Sequence, residues 1–200
     1  MQQPQDSHWN AAKRVLQYIQ GTKYFGLLYK KTKNFVLGGF SNADFAGSID
    51  DRALTSGYLM NMGSAAVSWN CKKQATVATS TVDAEYISAW EATCEIFWLH
   101  GVLQDLGISQ TKATSLFINS QSTIKLAKNP DFHSKTKHVD TKYHHIRSLI
   151  AKDVIKPIYC PSEDQISDIF TKPLGRIKFT KLRDELGICC NVYLEHMGEC

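Results

Sequence analysis

Between Phe35 and Trp69 three short apolar stretches are separated by turn-forming residues, and from Ser80 to Gly107 one long helical pattern follows them without interruption. Phe35 to Ala43 is strand-like, Asp50-Asp51-Arg52 forms a turn, Tyr58 to Met62 is a second strand, and Gly63-Ser64 turns into a third from Ala65 to Trp69. Strands joined by such short turns pair as an antiparallel meander. The long segment opens at Ser80 or Thr81, with Asp83 and Glu85 in its first turn, where the helix dipole favours carboxylates. Its apolar residues occupy more than one stripe (Ala84, Ile87, Cys94 and Trp98, but also Tyr86, Trp90 and Phe97), which predicts a helix packed between layers.

The flanks complete the pattern. Asp6-Ser7 caps an amphipathic helix bearing Trp9, Ala12, Val15, Leu16 and Ile19, which Gly21 ends, and a short strand runs from Phe25 to Tyr29. Trp9, Val15 and Leu16 are expected to pack on the domain itself; the alternative is a face turned to a partner. Beyond the long helix, Ser115 to Ile118 reads as a buried strand, Gln121 to Lys128 and Val139 to Ala151 as helices, and Ile155 to Cys160 as the last strand. Ser162-x-x-Gln165 reads as a capping box opening a helix that Pro173 closes. The order of elements predicts a mixed α/β domain around a central sheet.

Composition narrows the class. At 200 residues, 43% hydrophobic and 21% charged, the chain has the make-up of one globular domain with a small appendage. No stretch reaches the apolar length that spans a bilayer, and the polar start from Met1 to Gln5 lacks the charged and apolar regions of a signal peptide, so an intracellular, cytoplasmic location and no membrane partner are expected. The six cysteines show no C-x-x-C pairing and no secreted-scaffold density, which argues against zinc and against a disulfide framework. A net charge of +4 permits a polyanionic partner without identifying one.

Strand ends and helix starts let side chains from distant segments meet beside a sheet, and such places suit the oxygen ligands of Mg²⁺. The candidates are Asn42 and Asp44 on the first meander strand, Glu85 at the start of the long helix, Asn119 after the fourth strand and Asp168 on the last helix. By residue type alone Glu85 reads as dipole compensation and Asp168 as part of a solvated helix face.

Ordered short motifs carry the chain further. They are Phe40-Ser41-Asn42-Ala43-Asp44-Phe45-Ala46-Gly47, Asp50-Asp51-Arg52 with Thr55-Ser56-Gly57-Tyr58, and Trp69 with Lys72-Lys73-Gln74. Ser80 with Asp83-Ala84-Glu85-Tyr86, Asn129-Pro130 with Lys137-His138-Val139-Asp140 and Tyr143-His144, and Glu163-Asp164-Gln165 with Asp168-Ile169 and Thr171-Lys172-Pro173-Leu174 follow in turn. Together they resemble the ribonuclease H domain at the C-terminal end of the Pol polyprotein of copia-type LTR retrotransposons, from about Asp6 to Ile188; Cys189 to Cys200 match nothing in that family.

The resemblance implies a ribonuclease H-like fold, a mixed five-stranded sheet of three antiparallel and then two parallel strands flanked by helices. It implies a connecting helix and strand over 1–33 leading from a reverse-transcriptase region, the ribonuclease H-like domain over 34–175, and a C-terminal helix with an unmatched tail over 176–200. It implies hydrolysis of the RNA strand of an RNA–DNA hybrid with two Mg²⁺ ions held by four carboxylates, a reverse-transcriptase partner in the same polyprotein, and a virus-like particle as the setting. Carried over position by position, those carboxylates fall on Asn42, Glu85, Asn119 and Asp168, and only Glu85 and Asp168 are acidic. An amide offers one neutral oxygen and cannot bridge two cations, so metal occupancy and cleavage are expected to fall severely. Asp44, on the same strand face as Asn42 and about 7 Å along it, is the available substitute, with weak Mn²⁺-supported hydrolysis as the corresponding alternative.

For the substrate, Lys125, Lys128, Lys137 and Arg147 belong to a basic stretch whose two readings, a grip on hybrid phosphates and a solvated helix face, stay open. Lys72 and Lys73 have the composition of a backbone-gripping turn, while Trp69 beside them is expected in the core. His133, His138, His144 and His145 show no zinc-ligand spacing, and His138 with Asp140 reads as a structural pair. A non-catalytic module that binds nucleic acid or reverse transcriptase is the alternative function. A DNA-integrating enzyme is disfavoured because its final acid would be Glu in a different context.

Overall fold

In a computed structural model of the protein, the described residues are 3–31, 35–44, 54–74, 78, 80–129 and 137–191, without the side chains of 137–141 and 143. The predicted turn at Asp50-Asp51-Arg52, His133, the side chains of Lys137, His138 and Asp140, and the tail after Asn191 lie outside them. Helix α1 (Asp6–Thr22) and strand β1 (Phe25–Leu27) precede the meander β2 (Leu37–Asp44), β3 (Thr55–Met62) and β4 (Ala65–Lys73). Helix α2 (Thr81–Asp105), β5 (Thr114–Ile118), α3 (Gln121–Lys128), α4 (Lys137–Ala151), β6 (Ile155–Tyr159), α5 (Asp168–Thr171), α6 (Arg176–Glu185) and β7 (Ile188–Cys190) follow.

The main sheet has the order β4-β3-β2-β5-β6. Strands β2, β3 and β4 are antiparallel, whereas β5 runs parallel to both β2 and β6. This is the ribonuclease H-like arrangement of three antiparallel and two parallel strands. The predicted turn at Gly63-Ser64 joins Met62 to Ala65, and Gly63 supplies the left-handed φ of 66° there.

Strand alternation divides the core between the two sheet faces. On one face Met60, Leu116 and Ile118 pack with Tyr86, Ala89, Ala92 and Ile96 of α2 and with Ile146 of α4. Gly39 makes this contact close, since a Cβ there would meet Met60 Sδ at 2.9 Å and Ile96 Cδ1 at 3.2 Å. On the other face Leu59, Ala66, Ile166 and Leu186 are buried together, with Phe40, Ile169 and Phe170 against them. Phe40 stacks on Phe117 of the neighbouring strand at 4.7 Å between ring centroids. The short antiparallel pair β1–β7 joins the two ends of the described chain beside this second core.

Four local expectations are corrected. Helix α1 buries none of its residues, and Trp9, Val15 and Leu16 are exposed rather than packed on the domain. Trp69 is 53% exposed, because β4 is an edge strand and Trp69 borders an open apolar cleft with Tyr18 and Phe170. Helix α2 lies on the sheet and touches α3 and α4, but Phe97 and Trp98 remain on its outer side, so it is not enclosed between layers. The capping box at Ser162 does not form. Gln165 is wholly buried and its Nε2 donates to the carbonyls of Ser41 (3.1 Å) and Phe117 (3.4 Å), and between Ser162 and Pro173 the helix is the single turn α5. These bonds hold the Gln165 side chain against β2 and β5 and take it away from the position a helix cap would need.

Helix α5 reaches the sheet over Gly57. A Cβ at that position would stand 2.7 Å from Thr171 Cγ2 and 3.0 Å from Phe170 Cβ. Gly57→Ala is therefore expected to destabilise the fold by about 1–3 kcal/mol, as overpacking does. Thermal denaturation measures it, and an unchanged Tm would mean that α5 yields without cost.

Candidate active site at the ends of two strands

The sequence places Asn42 near the end of β2 and Asn119 just after β5, adjacent parallel strands in register from Gly38 with Ser115 to Ser41 with Ile118. Both amides therefore emerge at the same edge of the sheet. Asn42, wholly buried, donates through Nδ2 to Asp168 Oδ1 at 2.7 Å and to Thr171 Oγ1 at 2.8 Å. Its Oδ1 accepts from Asn119 Nδ2 at 3.1 Å. Three of the four expected positions thus form one hydrogen-bonded chain, and 126 residues separate Asn42 from Asp168 along the sequence.

The fourth position comes from α2. Ser80 caps that helix by accepting from the Asp83 amide at 3.1 Å, which fixes Glu85 in the following turn. Ser88, one turn later, lies 2.8 Å from the Asn42 carbonyl and 3.2 Å from that of Gly57, and so ties α2 to β2 and β3. Burial pushes the Glu85 carboxyl up to about 8; a hydrogen bond from the Ala43 backbone and the charge of Lys172 oppose the rise, and Asp168 adds to it. Its Oε2, like Asn119 Oδ1, is buried without a hydrogen-bond partner.

Asp168, only 1% exposed, is the charged centre of the site. Lys172 Nζ donates to its Oδ1 at 2.8 Å and Lys178 Nζ to its Oδ2 at 2.9 Å. The sequence assigns neither lysine to the site, although Lys172 lies in one of the motifs that carry the family resemblance. The four-residue spacing on a short helix was a usable signal for Lys172, whereas Lys178 arrives from α6 and leaves no local mark. Asp44 ends β2 opposite Thr55, half-buried.

The donor set does not fit a pair of divalent cations. Two of its members are neutral amides, one of them already accepting through its oxygen; the Glu85 carboxyl holds its proton at neutral pH; and both oxygens of Asp168 are taken by ammonium groups. Among the described residues no three His, Cys, Asp or Glu side chains gather as possible metal ligands.

The basic residues are dispersed. Lys125 and Lys128 occupy the last turn of α3, exposed, where they complement its dipole. Helix α3 itself starts beside the site, capped by Ser120, so the two lysines lie roughly 7–13 Å along its axis. Arg147 donates to the Leu126 carbonyl at 3.2 Å, linking α4 to α3. Lys72 pairs with Glu91 at 3.1 Å, and Lys73 is exposed at the end of β4. Among the described residues no helix is long and apolar enough to cross a membrane.

No family model matches the chain. It is 36% identical over 188 residues, 94% of its length, to the retrovirus-related Pol polyprotein from transposon RE2 of Arabidopsis thaliana, and covers 13% of that relative. With the Pol polyprotein from transposon TNT 1-94 of Nicotiana tabacum it shares 37% identity over 191 residues, 96% of its own length and 14% of the relative. The chain therefore spans only about an eighth to a seventh of the length of these relatives. Among solved structures, LC11-RNase H1 in complex with an RNA/DNA hybrid superposes with a TM-score of 0.48 at 11% identity, over 67% of this chain and 92% of that one.

Proposed function

We propose a function from one premise: this chain belongs to the Pol polyproteins of copia-type retrotransposons, to which it is 35–37% identical over 94–96% of its length. On our reading it is the ribonuclease H domain of such a polyprotein, it binds RNA–DNA hybrid, and it is catalytically impaired. The observation that carries the reading is the convergence of Asn42, Asn119 and Asp168 in one hydrogen-bonded chain at the edge where β2 and β5 end. These positions and Glu85 correspond, through the family resemblance, to the four that hold Mg²⁺ in the intact enzyme, where the metal supplies the activated water and stabilises the leaving oxygen.

What this chain's own residues do is different. The Asn42 amide donates where a carboxylate would accept, and it orients Asp168 through that bond while Thr171 buttresses it from α5. Glu85, protonated at neutral pH, brings no negative charge to the site. Hybrid contact falls to Lys72, Lys73, Lys125, Lys128, Lys137 and Arg147, acting on phosphates and duplex shape rather than on bases. Exposed Trp9, Val15, Leu16 and Ile19 on α1 favour a second role, contact with the reverse-transcriptase region of the polyprotein.

Fluorescence anisotropy with a labelled hybrid over a series of salt concentrations tests the reading. The parent is expected to bind with an affinity that falls steeply with salt and to leave the RNA intact. Lys125→Ala and Lys128→Ala should each lower the slope of log affinity against log salt by about one. Binding that is absent at low salt would overturn the hybrid-binding reading, and slopes that both substitutions leave unchanged would remove Lys125 and Lys128 from it.

A further inference from the structure

We infer that Lys172 and Lys178 are built-in counterions, the ammonium groups of which balance the buried Asp168 from within the chain, so that the fold around this site needs no divalent cation. The inference rests on the reading of Asn42, Glu85, Asn119 and Asp168 as the family's cation positions. A carboxylate as buried as Asp168 is tolerated only when its charge is matched and its oxygens receive hydrogen bonds. Here both conditions are met by protein groups. Oδ1 receives the Asn42 amide at 2.7 Å and Lys172 Nζ at 2.8 Å, and Oδ2 receives Lys178 Nζ at 2.9 Å.

The two lysines are themselves held in place. Their side chains are 31% and 26% exposed, Lys172 sits one helical turn beyond its carboxylate, and Lys178 makes a further hydrogen bond to the Ser162 carbonyl at 2.8 Å. That second bond anchors α6 to the loop preceding α5. The arrangement is directional as well as neutralising, because the amide and the ammonium groups approach Asp168 from β2, from the residue that follows α5 and from α6 at once. A cation added here would meet two positive charges already within hydrogen-bond distance of the Asp168 carboxylate.

Thermal denaturation of four proteins, each with EDTA and with millimolar Mg²⁺, tests the inference. The parent Tm is expected to be the same in both. Lys172→Met/Lys178→Met should lower it by about 10 °C, because removing both partners strands a buried charge. Adding Asp168→Asn to that pair should restore most of the loss, since the charge needing compensation is gone. The inference is overturned if Mg²⁺ raises the parent Tm, if the lysine pair can be replaced at no cost, or if Asp168→Asn fails to rescue the pair, including the case in which neither variant folds. The fourth protein, Asn42→Asp/Asn119→Asp, separates this failure from failure of the site reading. Stabilisation of that variant by Mg²⁺ supports the four-position assignment independently of the lysines, and its absence counts against the assignment alone.

Discussion

Asn42→Asp combined with Asn119→Asp is expected to cleave the RNA strand of an RNA–DNA hybrid in Mg²⁺ at least about 100-fold faster than the parent chain. In the parent site the Asp168 carboxylate already receives the ammonium groups of Lys172 and Lys178, and burial holds the Glu85 carboxyl up at about 8. The double substitution adds two carboxylates at the ends of adjacent parallel strands. That restores the negative field that divalent cations require and weakens the hold of Glu85 on its proton only where a cation is bound. It also exchanges a donor for an acceptor 2.7 Å from Asp168 Oδ1. Without cations the variant should consequently be less stable than the parent, because two buried carboxylates then face each other. Cleavage of a labelled hybrid, with Mg²⁺ and with Mn²⁺, measures the effect. Equal rates in parent and variant would show that the four-position assignment is wrong and make Asp44 the leading acidic group.

The second large effect concerns Glu85. Burial raises its carboxyl from 4.5 to about 8 in the folded protein. Between these values the unfolded chain has released the proton while the folded chain keeps it, so the folded state binds more protons and stability falls as pH rises through the window. The loss from this one group is about 5 kcal/mol across the interval, as an upper figure, and is complete above pH 8. Glu85→Gln keeps the shape and one acceptor oxygen but cannot ionise. It should be indistinguishable from the parent near pH 4.5, several kcal/mol more stable near pH 8.5, and nearly flat between. Urea denaturation at pH 5, 7 and 8.5 decides it. Parallel pH dependence in the two proteins would mean that Glu85 is ionised and partnered in the folded state. The result bears on function as well, since a protonated Glu85 is a further reason for the parent site to be a poor cation binder.

Much of the architecture is legible in the sequence. The strand pattern of the meander, the Gly63-Ser64 turn, the Ser80 cap and the span Gln121 to Lys128 depend on residues within a few positions of one another and appear in the structure, although β3 begins three residues earlier than expected and β4 runs on through Lys72 and Lys73, which lie on a strand and not in a turn. The meeting of Asn42, Asn119 and Asp168 was expected from the family resemblance, and the structure brings the three together.

Other features were decided by groups far apart in the chain. Ser162 and Gln165 satisfy the local rule for a capping box, yet the Gln165 amide donates to the Ser41 carbonyl, 124 residues away, and is wholly buried there. Trp9 and Trp69 have the apolar character of core residues, but exposure depends on what covers an element, and nothing among the described residues covers α1 or this part of the edge strand β4. Lys178 looks like any surface lysine until α6 folds back onto the loop before α5 and sets its ammonium on Asp168. The sequence by itself determined the meander, the long helix and the strands and helices that follow it, because hydrophobic period, turn residues and caps act over short range, and its ordered motifs carried the family resemblance. Only the tertiary structure decided the charge state of the site, because desolvation and counter-charge depend on what the whole fold places around each carboxyl group.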